Sequence, residues 1–123
     1  MTAWFTGAVL VISALVHLAP AIGVLGAGAL ERLYGLTPAN DATLLLLRHR
    51  AVLFGVIGVL LAWCAARPDR HASGLAIAAT CVGAFLVLAR GDAVATAALQ
   101  RVWRVDAGVF VLVVVAGVLR VVR

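Results

Sequence analysis

The chain has 123 residues, of which 65% are hydrophobic and only 12% charged, with a formal net charge of +5. An ordinary soluble domain carries roughly 25% charged residues, so this composition, with a mean hydropathy of +1.16, excludes a water-soluble globular domain and calls for an all-α integral membrane protein. All ten basic residues are Arg and lie scattered between apolar segments, forming no stripe of the kind a phosphate backbone requires, which excludes nucleic acid as a partner.

Four apolar runs, at about 4–28, 44–66, 72–89 and 105–119, each approach the roughly 20 residues a helix needs to cross about 30 Å of hydrocarbon. They predict a single membrane domain over 1–123, a four-transmembrane-helix bundle with both termini on the same side. The alternating segments of a barrel are absent. The first run opens at Trp4, an interfacial anchor. Its "LGAGAL" offers small residues of the kind a signal peptidase accepts, but no Lys or Arg precedes the apolar core, so a retained helix is expected. Thr6, Leu10, Ser13, His17 and Pro20 share one helical stripe. His17 lies thirteen residues beyond Trp4, past the midplane at about 1.5 Å per residue. Pro20 leaves the Val16 carbonyl without its helical partner and predicts a kink beside the imidazole. In the linker "ALERLYGLTPANDA", Gly35 and Pro38 are breakers, and a short interfacial helix is expected to end at Gly35.

The second run contains the triplet Arg48, His49, Arg50. Arg48 shares a 3-and-4 spacing with Ala51, Gly55, Gly58 and Ala62, all within about 80° at about 100° per residue. Small residues let membrane helices approach closely, so Arg48 is expected to point into the bundle. Arg50 shares a bulky side with Phe54, Ile57 and Leu61 and is expected to snorkel to the headgroups. His49 lies above Val52 and Val56, and its direction stays open. "ARPDRHAS" reads as a tight turn on Pro68 and Asp69. In the third run Ser73 and Thr80 share a face, with Gly83 and Ala84 a turn further on. Cys64 and Cys81 fall at different depths, which argues against a disulfide and for two small buried apolar residues. The next linker breaks at Gly91, and Asp92 is placed to cap a helix from Ala93 that either lies at the interface or runs into the fourth span. Trp103 is a second interfacial anchor, and Asp106 lines up with Trp103, Phe110, Val113 and Gly117.

His17, Arg48 and Asp106 thus fall on three helices within one half of the membrane. An unpaired Arg or Asp in hydrocarbon costs on the order of 3 kcal/mol on insertion scales, and such residues most often mark ligand, ion or proton sites. Each also has a plainer reading. Ser and Thr in membrane helices usually bond their own backbone, His17 can be a helix-contact residue, Arg48 and Asp106 can form a register-fixing ion pair, and Arg32, Arg101 and Arg104 are expected as interfacial anchors. In the functional reading, His17 moves protons, Asp106 holds its charge state and Arg48 binds an anionic or enolate oxygen. Arg48, His49, Ser13 and Thr80 complete the expected ligand-binding set. That chemistry suits an isomerase, cyclase or hydrolase acting on a lipophilic substrate. No metal-spaced cluster, phosphate loop, nucleophile elbow or paired-cysteine motif is present, so no cofactor and no metal are expected.

The segments "VHLAPAIGVLGAGALERLYGL" (16–36) and "LLLLRHRAVLFGVIG" (44–58) resemble small bacterial four-helix membrane proteins of the DoxX-like type. The resemblance covers most of the chain except the fourth span. It implies a four-helix bundle, makes His17, "ERLYGL" and "RHR" recurrent features, and implies no particular activity. Three classes follow. They are a binding or catalytic bundle for a small lipophilic or anionic ligand, an accessory subunit of a membrane complex, and a small proton-coupled transporter acting as an oligomer. Expected partners are membrane lipids, a lipophilic small molecule, and a second copy or a membrane subunit. Arginine counts at the two ends of the bundle nearly balance. Setting aside the inward-lying ones favours a plasma-membrane protein with cytoplasmic termini.

Overall fold

The computed structural model describes residues 2–90 and 96–122 and is helical throughout, with no strand among the described residues. Helix α1 (Thr2–Leu18) runs into a 3-10 segment (Ala19–Leu25); α2 (Ala27–Tyr34) is short; α3 is Asp41–Ala65. A 3-10 turn (Pro68–Arg70) leads into α4 (His71–Leu88), and α5 is Ala97–Val121. Four of these stretches, Thr2–Leu25, Asp41–Ala65, Pro68–Leu88 and Ala97–Val121, are long and apolar enough to cross a membrane.

Local chemistry sets the boundaries. Pro20 stands at the start of the 3-10 segment, where its missing N–H ends the α-helical ladder of α1 just after His17. Gly35, at φ 64°, closes α2 in the left-handed conformation that glycine adopts without a Cβ clash, and its N–H donates to the Glu31 carbonyl at 2.7 Å. Asn40 caps α3 by accepting from the Thr43 N–H at 2.8 Å. Thr96 caps α5, accepting from the Leu99 N–H at 3.1 Å. The fourth span therefore starts well before residue 105, because the capped helix begins at Ala97 and carries Gln100, Arg101 and Arg104 in its first two turns. The expected break at Gly91 and cap at Asp92 lie outside the described residues.

Helix α1 packs against α3, α4 and α5. Its Val9, Leu10 and Ala14 meet Leu61 and Cys64 of α3, Leu75, Ala78 and Val82 of α4, and Val109, Val113 and Ala116 of α5 in the core. Contact is closest at glycine. A Cβ on Gly58 would stand 2.6 Å from Leu18 Cγ and 3.1 Å from the Ala14 carbonyl oxygen, and one on Gly74 2.8 Å from Cys64 Cβ. The outward faces are apolar, with Leu15, Val52, Val56, Val59, Val111 and Val118 exposed. Such a surface fits a membrane helical bundle, in which helices satisfy their own backbones and turn apolar side chains to lipid. Cys64 and Cys81 are both free. At the end of the bundle holding the Pro68–Arg70 turn, the buried His71 ring donates from Nε2 to the Ala65 carbonyl at 3.1 Å and so ties α4 to the last turn of α3.

Candidate functional site

At the opposite end of the bundle, the C-terminal turn of α1 and its 3-10 segment meet α2, the start of α3, the end of α4 and the start of α5 around a cavity of about 220 Å³. Most of its wall is apolar, including Val16, Pro20, Phe85 and Val105, and into that wall project His17, Tyr34, Arg50, Cys81, Arg101 and Asp106. Each of the five helices contributes at least one of these six residues.

His17 is the deepest of them, 4% exposed. Its Nδ1 lies 2.8 Å from the Ser13 carbonyl oxygen. A carbonyl only accepts, so Nδ1 carries the proton and donates, leaving Nε2 as the nitrogen free for other chemistry. The ring is tilted 55° to Phe54 with centroids 5.8 Å apart. The Arg50 guanidinium lies 5.0 Å from the same Phe54 ring centroid and also 5.7 Å from that of Tyr34. These are cation–π distances that hold the arginine beside the cavity. Tyr34 is buried, and its carbonyl accepts from Thr96 Oγ1 at 2.7 Å, which fastens the end of α2 to the cap of α5. Burial pushes the Tyr34 phenol above the ordinary tyrosine range. The Asp106 carboxylate pushes the same way and Arg50 opposes both, so the phenol stays a neutral donor.

His17 and Asp106, expected on sequence grounds to share a layer, line the same cavity. Arg48 does not. Its Nε donates to the Val24 carbonyl oxygen at 2.8 Å, and among the described residues the single ion pair is Arg70 with Asp69, at 3.2 Å, so Arg48 and Asp106 do not pair. The face of Ala51, Gly55 and Gly58 does turn inward, but it packs against Ala14 and Leu18 of α1 and Ala21 of the 3-10 segment and does not line this cavity. Arg48 instead bonds to the Val24 carbonyl, while Arg50, expected to snorkel, is exposed and lines the cavity beside Phe54. His49 is exposed and does not reach the cavity. Ser13 is fully buried and donates to the Val9 carbonyl at 2.9 Å, so its part is to offer its own carbonyl to His17. Thr80 donates to the Ala76 carbonyl at 2.8 Å and faces an outer groove with Trp103 and Arg90. It lies roughly 200° around α4 from the buried Ala78 at 100° per residue.

Arg50 and Arg101 line the cavity although the sequence pointed to headgroup and interfacial anchors, and Tyr34 lines it without having been singled out. A usable signal existed for Arg50, which precedes Phe54 by four residues, the spacing at which a helical cation covers an aromatic ring. For Tyr34 the signal was a lone aromatic at the end of an amphipathic helix, just before its glycine cap. Arg101 offered none, since an interfacial anchor and a cavity-rim residue read alike at the first turns of a span. No family model, curated protein or solved structure matches this chain.

Proposed function

We propose that the chain is a multi-pass plasma-membrane protein with both termini on one side, whose cavity binds a small lipophilic ligand and is equipped to move a proton on it. The observation that carries this reading is the arrival of His17, Tyr34, Arg50 and Asp106 from four different helices at one otherwise apolar cavity. Ligand sites have this make-up, apolar walls with a few convergent polar groups. His17 Nε2 is the group placed to accept or return a proton, Tyr34 is a neutral donor, and Arg50 stands where an anionic oxygen of ligand or intermediate is stabilised. Asp106 supplies the charge that balances one arginine. A purely scaffolding role calls for a packed centre with closed ion pairs, and the open cavity, with no ion pair to Asp106 among the described residues, favours binding over it. The same reading places the chain with small four-helix proteins of the DoxX-like type, on the strength of segments 16–36 and 44–58.

The test is extraction of the purified protein with organic solvent, followed by mass spectrometry of small molecules recovered per mole of chain. A lipophilic compound is expected in stoichiometric amount with the wild type, and at least about tenfold less, the equivalent of about 1.4 kcal/mol of binding, with His17→Ala and Arg50→Ala. Helical circular dichroism and elution volume are expected to hold in both variants. Equal recovery from wild type and folded variants would overturn the proposal.

A further inference from the structure

We infer that the cavity selects a compact aromatic monoanion, a one-ring carboxylate whose charged end lies against Arg50 and Arg101 and whose ring reaches inward toward His17. The inference rests on the binding reading above and adds the chemical class of the ligand.

Charge comes first. Arg50 and Arg101 against Asp106 leave one positive charge at the cavity, counted with His17 neutral. Tyr34 does not cancel it, because its phenol is held protonated. Excess positive charge at the mouth of an apolar cavity draws in an occupant of opposite sign, and more strongly than in open water because the walls are of low dielectric. A monoanion brings the site to neutrality, whereas a neutral ligand leaves the excess and a cation doubles it.

Size comes next. An apolar cavity of about 150 Å³ takes benzene, so one of about 220 Å³ takes roughly nine non-hydrogen atoms in the same proportion. Benzoate has that size. A long acyl chain does not fit inside the walls.

Shape and polarity fix the orientation. Phe54 is in reach of both polar ends, with the Arg50 guanidinium 5.0 Å from its ring centre and the His17 ring centre 5.8 Å away. Arg50 is exposed and so sits at the rim, while His17 is buried. A carboxylate at the rim therefore carries its ring past Phe54 and Phe85 and points its far edge at His17 Nε2, an acceptor once Nδ1 has donated to Ser13. Nε2 has no hydrogen-bond partner among the described residues. A hydroxyl at the far edge of the ring supplies the missing donor, so 4-hydroxybenzoate is expected to outbind benzoate.

The experiment uses the full chain in detergent at pH 8 with four one-ring probes: benzoate, 4-hydroxybenzoate, benzyl alcohol and benzylamine. Cys81 lines the cavity and is a free thiol, so an occupant shields it from N-ethylmaleimide, read as the alkylation rate of the Cys81 peptide by mass spectrometry. Equilibrium dialysis of labelled benzoate gives a second measure that does not depend on the thiol. Both anions are expected to bind saturably, 4-hydroxybenzoate at about fivefold lower concentration, as one added neutral hydrogen bond gives. Arg50→Ala is expected to abolish binding of both anions and Arg50→Lys to retain part of it. His17→Phe is expected to erase the advantage of the hydroxyl while benzoate still binds. Benzyl alcohol or benzylamine binding as well as benzoate would overturn the charge selection and leave the cavity reading standing. Failure of all four probes would overturn the one-ring class, while a compound recovered by solvent extraction would still uphold the cavity itself.

Discussion

Arg48 and Arg50 are two residues apart and turned roughly 200° from one another on α3, so they meet different partners and do different work. Arg48 donates to the Val24 carbonyl within the 3-10 segment, where the α-helical ladder of the first span has given way. Arg48→Ala is therefore expected to lower unfolding stability by about 1 kcal/mol, the net worth of an accessible hydrogen bond, with ligand recovery unchanged. Thermal unfolding in detergent set beside the extraction assay checks this, and Arg50→Ala is expected to show the reverse pattern. Tyr34 is the only tyrosine in the chain, so phenolate absorbance follows it alone. Burial and Asp106 raise its pKa while Arg50 lowers it, so the signs of two variants are fixed. Asp106→Asn is expected to bring phenolate formation to lower pH and Arg50→Ala to move it higher, and a spectrophotometric titration in which both variants overlay the wild type would exclude the cluster. That His17 and Asp106 come together at one end of the bundle was legible from their positions within the apolar runs. The exchange of Arg48 for Arg50 was not, because a ridge of small residues marks where helices come into close contact, whereas the cavity is lined by the larger side chains of the neighbouring face, Arg50 and Phe54.

At the scale of the helix, glycine marks where two backbones meet. A Cβ added at Gly58 would stand 2.6 Å from Leu18 Cγ and 3.1 Å from the Ala14 carbonyl oxygen, and the second of these obstacles is backbone that has little room to give. Gly58→Ala is expected to cost about 1–3 kcal/mol as an overpacking change. Gly108, where an added Cβ would meet nothing within 4 Å, is expected to gain up to about 1 kcal/mol on replacement by alanine, because alanine is the better helix former. The opposite signs, read by thermal unfolding of the two single variants, separate packing from helix propensity. Most helix ends were legible, since Pro20 and Gly35 act on their own turn of chain. The start of α5 was not. Gln100, Arg101 and Arg104 depress the hydropathy of its first turns, and the Thr96 cap is tied to Tyr34, 62 residues earlier, through a contact that no local pattern contains.

At the scale of the whole chain, the proposed four crossings in succession put the two termini on one side, and the distribution of arginines chooses which. Arg67, Arg70, Arg120 and Arg123 mark the end with the termini. At the other end Arg50 and Arg101 line the cavity and Arg48 is held by the Val24 carbonyl, so Arg32, Arg90 and Arg104 remain as orienting charges. Orientation follows Lys and Arg near the span ends, with acidic residues contributing little. On this proposal the excess of one arginine favours termini in the cytoplasm and a cavity toward the outer face. A green fluorescent protein fused after Arg123 is then expected to fluoresce, and alkaline phosphatase fused within residues 36–39 to be active. Because the excess is a single charge, it also predicts sensitivity. Arg67→Ala with Arg70→Ala removes two orienting charges from the cytoplasmic end, which is expected to send a measurable fraction of chains into the membrane inverted, with phosphatase activity appearing at the C-terminal fusion. Fusions that report the two termini on opposite faces in the unaltered chain would remove one of the four crossings, and with it the meeting of α1 and α5 on which the site depends.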